Sequence, residues 1–481
     1  MFTYFEYIII FIPVVLAANF ILNSRGLHKP AAFFLIVASL LFYGLWEPIF
    51  VPLLLLSIIV NYAIGAALIG RTTATREKKA LIVTGLCFDI GLLGYFKYTN
   101  FFLQNINRLF GSDIGAMAIL LPLGISFYTF VQISFIVDCY RGKIKKIDPT
   151  NYILSVTFFP KLLQGPITTY NEMAPQFSDP GTGKINYENI ARGLLLLAIG
   201  LIKKMVIADN LAVWANIGFD RASVLNFFEA WFAALAFIFQ VYFDFSGYSD
   251  IAIGIALMFN IRLPLNFDSP YKATDIQDLW RRWHITFQRF MRDYVYISLG
   301  GSRLGEARLY FNLIITFIIG GFWHGAGWGF IFWGALNGVG LIAHRIWRKT
   351  GIVMNDHLAR GLTFLFFVFT GVFFRAATLK DALKIHRGMF GLEGFTLPET
   401  LKSIPFLNPV TGNWLAHLGP DTYYFIYLIL ASIGIIFFAK NSMEITERMR
   451  PSVRWALFAG LLLGVAALHL TQVSEFIYAN F

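Results

Sequence analysis

The chain has 481 residues, of which 57% are hydrophobic and only 14% are charged, and its formal net charge is +11. Because a soluble domain carries about one quarter charged residues, this composition excludes a soluble multi-domain protein and indicates an integral membrane protein. The positive charges gather in short loops between apolar runs, as the positive-inside rule describes, and this placement argues against nucleic-acid binding. The two cysteines lie in apolar runs and offer neither a disulfide framework nor a metal-binding spacing.

The first third of the chain alternates apolar runs with loops of differing charge. We predict five helices here, with approximate bounds Tyr4–Leu22, Ala31–Leu45, Phe50–Ile69, Ala80–Tyr95 and Ile114–Ile136. Every second loop is the more basic one, which places the N-terminus outside and those basic loops in the cytoplasm. The first run lacks the positive start of a signal peptide, so we expect a retained helix.

Polar interruptions mark the middle of the chain. The run Tyr152–Tyr170 is short and broken by prolines, so we expect a re-entrant or interfacial segment. The run Ile190–Val213 carries two lysines, which predicts that it begins or ends near an interface. The run Phe227–Phe259 is too long for one span and contains Asp244, so we expect two helices or one long helix that opens there. The basic, amphipathic segment Leu265–Arg303 is predicted to lie along or within the cytoplasmic face.

The last part of the chain continues this pattern. Further spans are predicted at Gly361–Phe374, Tyr423–Phe438 and Trp455–Leu470, with an exposed loop at Phe390–Pro420. The whole pattern predicts an all-α polytopic membrane protein with roughly 11 to 13 membrane segments, some of them broken or re-entrant. We expect one membrane domain over residues 1–481, with N-terminal helices at about 1–137, a core at about 150–350 and C-terminal helices at about 361–481.

One histidine lies where glycines break an apolar run. The run Leu309–Phe322 ends in Trp323-His324-Gly325, and a second run, Phe330–Ala343, returns to a basic cluster. If the first helix enters the bilayer near Arg308, His324 lies 16 residues further on, about 24 Å into a core roughly 30 Å thick. Ionisable groups at such depth are costly and are candidates for function. The alternative is a packing histidine that bonds to a carbonyl group.

Several motifs occur in order along most of the chain. They are Leu41–Pro48, Gly94–Phe102, Pro122–Phe130, Gly165-Pro166, Tyr242–Asp250, Arg282-Trp283-His284, Arg292–Ile297, Leu299-Gly300-Gly301, Trp323-His324-Gly325 and Val372–Ala376. Each is weak alone. Together they resemble the membrane-bound O-acyltransferase family, and within it the bacterial branch that acetylates alginate and other polysaccharides.

The resemblance implies acyl transfer from a thioester to a hydroxyl group, with His324 as the catalytic general base. Histidine suits this task because its unperturbed pKa is near neutrality, and burial would keep it uncharged. A covalent acyl-histidine is the less favoured variant. His284 matches the second histidine of the branch and would orient the donor or assist proton transfer; the alternative is an interfacial histidine bonded to backbone. Many relatives elsewhere in the superfamily have asparagine at a comparable step.

Binding residues are predicted around the two histidines. A donor such as acetyl-coenzyme A carries phosphates, which arginine recognises, although ordinary positive-inside anchoring would also explain an arginine cluster. Asp293 is a candidate partner for one of the arginines. Asp244 would line an aqueous path or support His324, or it would satisfy a helix break. The predicted donor- and substrate-binding residues are Arg281, Arg282, Arg292, Trp323 and Asp244.

The resemblance thus implies a multi-pass O-acyltransferase of the bacterial plasma membrane. It would use a cytoplasmic acetyl-coenzyme A donor, with no bound cofactor or metal, to acetylate an extracytoplasmic alginate-like exopolysaccharide or peptidoglycan. A periplasmic or extracellular acetyltransferase partner would finish the transfer. D-alanyl transfer to teichoic acid is one alternative, although the Phe390–Pro420 insertion favours the acetyl branch. A transporter or channel is another, but its expected matched interruptions in two halves are not found.

Overall fold

Helices form nearly all of the regular structure. The computed structural model describes residues 6–70, 75–404, 411–418 and 422–470. It is 76% helical with almost no strands, which confirms the all-α polytopic class. Among the described residues, six helices are long and apolar enough to cross a membrane, or seven if the bent pair Tyr424–Phe438 and Ser442–Arg448 is one span. The predicted total of roughly 11 to 13 segments also counted shorter and more polar helices, so that number stays a prediction.

The helices are numbered in chain order. The first nine are α1 (Ile12–Ser24), α2 (His28–Trp46), α3 (Val51–Leu68), α4 (Arg76–Leu93), α5 (Thr99–Phe110), α6 (Ile125–Tyr140), α7 (Pro149–Thr157), α8 (Phe159–Leu162) and α9 (Tyr170–Ser178). The next six are α10 (Tyr187–Leu201), α11 (Asp209–Asn216), α12 (Phe227–Met258), α13 (Ile276–Arg282), α14 (Ile285–Phe290) and α15 (Glu306–His324). The last six are α16 (Trp328–Lys349), α17 (Asp356–Arg375), α18 (Leu379–Met389), α19 (Thr422–Phe438), α20 (Ser442–Arg448) and α21 (Val453–Ala467).

Two short strands, several π-helical turns and short 3₁₀ turns complete the described fold. Strand β1 (Leu397–Pro398) pairs in parallel with β2 (Thr411–Gly412) inside the predicted loop Phe390–Pro420, part of which lies outside the described residues. The π-helical turns extend or join the α-helices and are Glu6–Phe11, Gly94–Tyr98, Ile202–Ala208, Ile217–Arg221 and Met291–Tyr296.

The region before α6 corrects two predictions. The helix expected at Ile114–Ile136 begins only at Ile125, because Pro122 and Gly124 interrupt it; Gly124 has a φ of +73°, in the left-handed region that favours glycine. The loop expected after Tyr95 is instead helical as far as Phe110. No proline or glycine breaks that stretch, and its apolar residues repeat with helical spacing.

The long run around Asp244 is also different from the prediction. It forms a single helix, Phe227–Met258, of 32 residues, without an opening at its polar residues. The polar patch does not break the helix because Asp244 is satisfied by a side chain from another element, described below. The basic segment that follows is broken into short helices, as its polar and glycine content suggests.

The described chain divides into two compact units. The first comprises residues 6–70, 75–201, 248–266 and 442–470, and the second residues 202–247, 267–404, 411–418 and 422–441. The expectation of one domain over the whole chain stays a prediction.

The first unit is packed through aromatic rings and glycines. The ring centroids of Tyr7 and Phe42 are 4.9 Å apart, and Phe159 meets Phe11 edge-on at 5.2 Å. Where α10 passes α12, a Cβ at Gly193 would lie 2.5 Å from the backbone oxygen of Gly254. Such small residues let membrane helices approach until their backbones touch.

The second unit is built on the hairpin of α15 and α16. A Cβ at Gly321 would lie 2.2 Å from the backbone oxygen of Phe330, and one at Gly334 would lie 2.3 Å from that of Phe317. Each glycine therefore faces a carbonyl group of the opposite helix, and the two backbones are in direct contact. Helix α17 packs against the same hairpin. The turn of this hairpin carries His324.

Candidate active site

His324 is the last residue of α15, as the sequence predicts. The next residue, Gly325, is extended, and α16 begins at Trp328, so three residues turn the chain. A Cβ at Gly325 would lie 2.1 Å from the ring of Phe330. Glycine is therefore required for the turn to close over that ring. The side chain of His324 is held inside the unit and is 3% exposed.

Aromatic rings surround His324. Its ring centroid lies 5.0 Å from that of Trp323, 5.2 Å from Phe287, 5.4 Å from Trp333 and 5.1 Å from Phe374. These rings come from four helices, namely α14, α15, α16 and α17. They enclose the imidazole on several sides.

His284 lies between α13 and α14 in an unusual backbone conformation. Its φ and ψ are 44° and 55°, in the left-handed region that few residues other than glycine adopt. Such local strain persists when the surrounding structure imposes it, and it often marks functional sites. The side chain is 1% exposed, and its ring lies 4.5 Å from Phe245 and 5.0 Å from Phe287 between centroids.

The structure brings the two predicted catalytic histidines together. Their ring centroids are 6.4 Å apart, which is too far for a direct hydrogen bond but close enough for one small group to contact both. Within the described chain, neither ring nitrogen of His284 has a hydrogen-bonding partner. Buried polar atoms are normally paired, so these nitrogens point to a ligand or water. Burial lowers the pKa of His284 to about 3, so its imidazole is neutral near neutral pH.

The predicted donor-binding arginines have different surroundings. Arg282 donates from Nε to Asp278 at 2.9 Å, and Arg292 pairs with Asp293 at 2.6 Å. The second contact confirms that Asp293 pairs with one of the arginines. Arg281 is exposed at the end of α13. Two of the three predicted arginines are thus already engaged by carboxylates.

Asp244 belongs to a buried ion cluster. It forms a short ion pair with Lys204, whose Nζ also lies 2.9 Å from Asp209. Lys204 is buried, and the two carboxylates compensate its charge. That the run Ile190–Val213 begins or ends near an interface stays a prediction. Asp244 does not contact His324 directly; its neighbour Phe245 packs against His284.

A cleft lies against the aromatic rings around the histidines. It is partly open and is lined by Phe287, Gln288, Met291, Thr316, Phe317, Gly320 and Trp333. Phe287 and Trp333 are also neighbours of His324. The hydroxyl group of Thr316 is buried and has no hydrogen-bonding partner in the described residues. The cleft therefore offers mainly apolar walls with the Thr316 hydroxyl and the Gln288 amide, and it shares two aromatic residues with the surroundings of His324.

This arrangement can carry out acid–base chemistry on a small group. Two imidazoles in an apolar enclosure can hold a proton acceptor and a hydrogen-bond donor on opposite sides of one reacting atom. Sequence reasoning found both histidines and Trp323, but it missed Phe287, Trp333 and Phe374. Phe374 belongs to the motif Val372–Ala376, which could have pointed to this residue. Nothing in the sequence, however, shows that its ring contacts His324.

Comparison with known proteins decides the family. A model of the membrane-bound O-acyltransferase family matches residues 125–351, which include both histidines. A peptidoglycan O-acetyltransferase of Helicobacter pylori is 42% identical, over 99% of this chain and 96% of its own. The chain belongs to the membrane-bound O-acyltransferase family. The prediction of the family, of an O-acyltransferase and of a multi-pass membrane protein is confirmed.

Other members of the family show two degrees of similarity. A probable alginate O-acetylase, AlgI, of Pseudomonas aeruginosa is 35% identical, over 91% of this chain and 82% of its own. A teichoic acid D-alanyltransferase of Streptococcus thermophilus is 25% identical, over 52% of this chain and 63% of its own. The acetyl-transferring relatives are thus matched over far more of the chain, and membership of the family favours an enzyme over a transporter. The roles of individual residues stay predictions.

Proposed function

We propose that this O-acyltransferase moves acetyl groups from a thioester donor to hydroxyl groups of an extracytoplasmic polysaccharide. The observation that carries the proposal is the pair of buried imidazoles, His284 and His324, enclosed by one set of aromatic rings. The extensive similarity to a peptidoglycan O-acetyltransferase and to an alginate O-acetylase supports acetyl as the group transferred. An alginate-like exopolysaccharide or peptidoglycan is the proposed class of acceptor.

His324 is proposed to act as the general base. It takes the proton of the attacking hydroxyl while the oxygen forms a bond to the thioester carbonyl carbon. When the resulting tetrahedral intermediate collapses, the carbon–sulfur bond breaks and the proton returns from His324 to the thiolate, so that charge and protons balance.

His284 is proposed to donate a hydrogen bond to the carbonyl oxygen. A neutral imidazole keeps one N–H group, and the ring nitrogens of His284 have no partner in the described structure. Burial lowers the pKa of His284 to about 3, so the ring is uncharged at neutral pH and does not act as a charged proton donor. An N–H group aimed at the developing oxyanion contributes about 10²- to 10³-fold in comparable enzymes.

The cleft beside the histidines supports a short acyl group. Its apolar walls, formed by Phe287, Met291 and Phe317, suit the thioester end of a donor, and the Thr316 hydroxyl can bond to one polar atom of it. Acetyl-coenzyme A is the proposed donor. Arg281 is the exposed cation proposed for its phosphates, whereas Arg282 and Arg292 would first have to exchange their carboxylate partners.

The experiment is an acetylation assay in the cell. Polymer-bound O-acetyl is measured in a host in which this gene is deleted and then restored as wild type, His324→Ala or His357→Ala, with equal amounts in the membrane. His357 is exposed and serves as the matched control. We expect His324→Ala to lose at least about 100-fold in transfer and His357→Ala to resemble wild type. Unchanged acetylation in His324→Ala would refute the general-base role.

The same cells separate the acceptors and the second candidate reaction. Analysis of peptidoglycan and exopolysaccharide fractions identifies the polymer, and deletion of a neighbouring extracytoplasmic acetyltransferase gene shows whether a partner finishes the transfer. D-alanyl esters on teichoic acid are measured in parallel, because a D-alanyltransferase is among the more distant relatives. Loss of D-alanyl esters with unchanged O-acetyl would replace our proposal by that reaction.

A further inference from the structure

A second pocket lies in the first unit, between α6 and the chain from α7 to Ile167. It is partly open and is lined by nine residues, including Phe127, Tyr128, Val131, Lys161 and Leu162. Among those nine residues, only Lys161 and Tyr128 carry polar side chains. Apart from backbone groups, the pocket therefore presents one amine, one phenol group and otherwise apolar side chains.

Lys161 is buried without a compensating carboxylate contact. Its side chain is 4% exposed, and the described residues give its amine neither a hydrogen bond nor an ion pair. The closest acidic influence is Glu172, whose carboxylate accepts hydrogen bonds from the backbone and hydroxyl of Thr169. Burial lowers the pKa of Lys161 to about 7. An amine buried in this way carries an energetic cost that a bound anion would offset.

The backbone holds Lys161 at the pocket by a tight turn. The amide of Gly165 donates to the carbonyl oxygen of Lys161 at 3.1 Å. A Cβ at Gly165 would lie 2.3 Å from Cα of Lys161, so only glycine allows the turn. A tight, hydrogen-bonded turn thus fixes the position of the lysine.

Tyr128 supplies the second polar group. Its side chain is 2% exposed, and its hydroxyl has no hydrogen-bonding partner among the residues that the structure describes. A buried phenol normally finds a partner. One cation and one unused hydroxyl group therefore line the same pocket.

We propose that this pocket binds a carboxylate group. The charge of one amine matches one carboxylate, and the amine and the phenol can each donate to one of its two oxygens. A doubly charged phosphate would keep an uncompensated charge among apolar walls, which disfavours it. Phe127, Val131 and Leu162 would pack against the carbon atoms next to the carboxylate.

Two sources can supply such a group, namely a free short-chain carboxylate or an acidic sugar of a glycan. Because α6 ends at a basic loop, the positive-inside rule places its other end, with Tyr128, toward the outside. A lysine there is not explained by cytoplasmic anchoring, so a ligand role accounts for it better. The inference stands apart from the proposed acyl transfer, because it concerns binding and not turnover.

The test is a binding titration on the purified full-length protein in detergent at constant ionic strength. The probes are acetate, galacturonate and, as the uncharged control, N-acetylglucosamine, observed by saturation-transfer NMR. The variants are Lys161→Met and Tyr128→Phe, and the matched control is Lys145→Met at an exposed loop lysine. Size-exclusion chromatography and thermal unfolding check the fold of each variant.

We expect saturable binding of a carboxylate that weakens at least about tenfold in Lys161→Met and about three- to tenfold in Tyr128→Phe. Lys145→Met should bind as wild type does. Binding of acetate alone identifies a free carboxylate, and binding of galacturonate identifies an acidic glycan. If Lys161→Met does not fold, the binding of carboxylates by Tyr128→Phe tests the proposed site. No saturable carboxylate binding, or equal binding by wild type and the folded variants, would overturn the proposal.

Discussion

The rings of His284 and His324 contact the same phenyl ring. Phe287 lies 5.0 Å from the first and 5.2 Å from the second between centroids. Two segments that are separate in the sequence, the start of α14 and the end of α15, therefore place two imidazoles around one small space. The two side chains are expected to act on one reacting group rather than at successive stations.

The first prediction concerns the double variant of these histidines. Because both act on one transition state, His284→Gln and His324→Gln together should lower the transfer rate hardly more than His324→Gln alone. The measurement is the initial rate of polymer O-acetylation in membranes that contain equal amounts of each variant. Losses that multiply would show that the two histidines act independently.

A second prediction follows from the backbone at His284. Asparagine tolerates the left-handed conformation, whereas alanine there costs about 1–2 kcal/mol. We expect His284→Asn to unfold at a higher temperature than His284→Ala in the purified protein. The same pair of substitutions at Gln288, inside α14, should show the opposite order, since alanine is the better helix former. The same order at both positions would contradict the backbone explanation.

Burial of His284 also predicts a dependence of stability on pH. The folded-state pKa of about 3 lies below the ordinary 6.5, so the unfolded chain takes up a proton that the folded chain refuses. Stability should therefore fall as the pH decreases from about 6.5 toward 3, by on the order of 2–3 kcal/mol near pH 4.5. Above about pH 6.5 this group should not make the free energy of unfolding depend on pH. Thermal unfolding of wild type and His284→Asn across this pH range measures how much of the acid sensitivity comes from His284. Equal acid sensitivity of the two proteins would contradict the prediction.

Gly320 allows a test of the cleft. A Cβ there would lie 3.4 Å from the ring of Phe287 and 3.8 Å from Met291, which are ordinary contacts, so Gly320→Ala should fold. The added methyl group narrows the space beside the histidines and should disfavour propionyl transfer more than acetyl transfer, by about 5- to 10-fold. Competition between the two acyl donors measures this ratio. Gly361→Ala, where a Cβ meets nothing within 4 Å, is the control, and a ratio equal to that of the control would remove the cleft from the acyl path.

Asp244 gives a prediction on stability rather than chemistry. Asp244→Leu leaves Lys204 with less compensation in a buried site and should destabilise the protein by about 3–5 kcal/mol. Adding Lys204→Met should restore much of that loss, because no buried charge of this pair remains unpaired. Thermal unfolding of the two variants tests the order, with Asp356→Asn at an exposed position as control. A double variant less stable than the single one would show that the ion pair itself stabilises.

The placement of His324 could be predicted because local chemistry determines it. An apolar run that ends in tryptophan, histidine and glycine must stop near the glycine, and the structure ends α15 at that residue. The rings of Trp333 and Phe374 could not be predicted as its neighbours. They reach His324 through the packing of α16 and α17, and no local pattern encodes that packing.

The failures around Asp244 and Ile114 have different physical causes. A carboxylate in an apolar run predicts a break only if it lacks a partner, and Lys204 supplies one from a distant position. The apolar stretch after Ile114 has the composition of a helix, but Pro122 and Gly124 delay its start. In the first case a long-range contact with Lys204 overrides the sequence pattern. In the second, the hydropathy of the stretch predicts a helix, although its proline and glycine indicate a later start.

The direct backbone contact between α15 and α16 limits how a donor can reach the histidines. With Gly321 against the carbonyl of Phe330 and Gly334 against that of Phe317, these helices cannot separate without losing an extended close-packed seam. Entry must therefore come from rearrangement elsewhere, by rotation of aromatic side chains such as Phe287 or by displacement of the short helices α13 and α14. The hairpin of α15 and α16 is therefore expected to stay fixed, and the segment that carries His284 is expected to move when a donor enters.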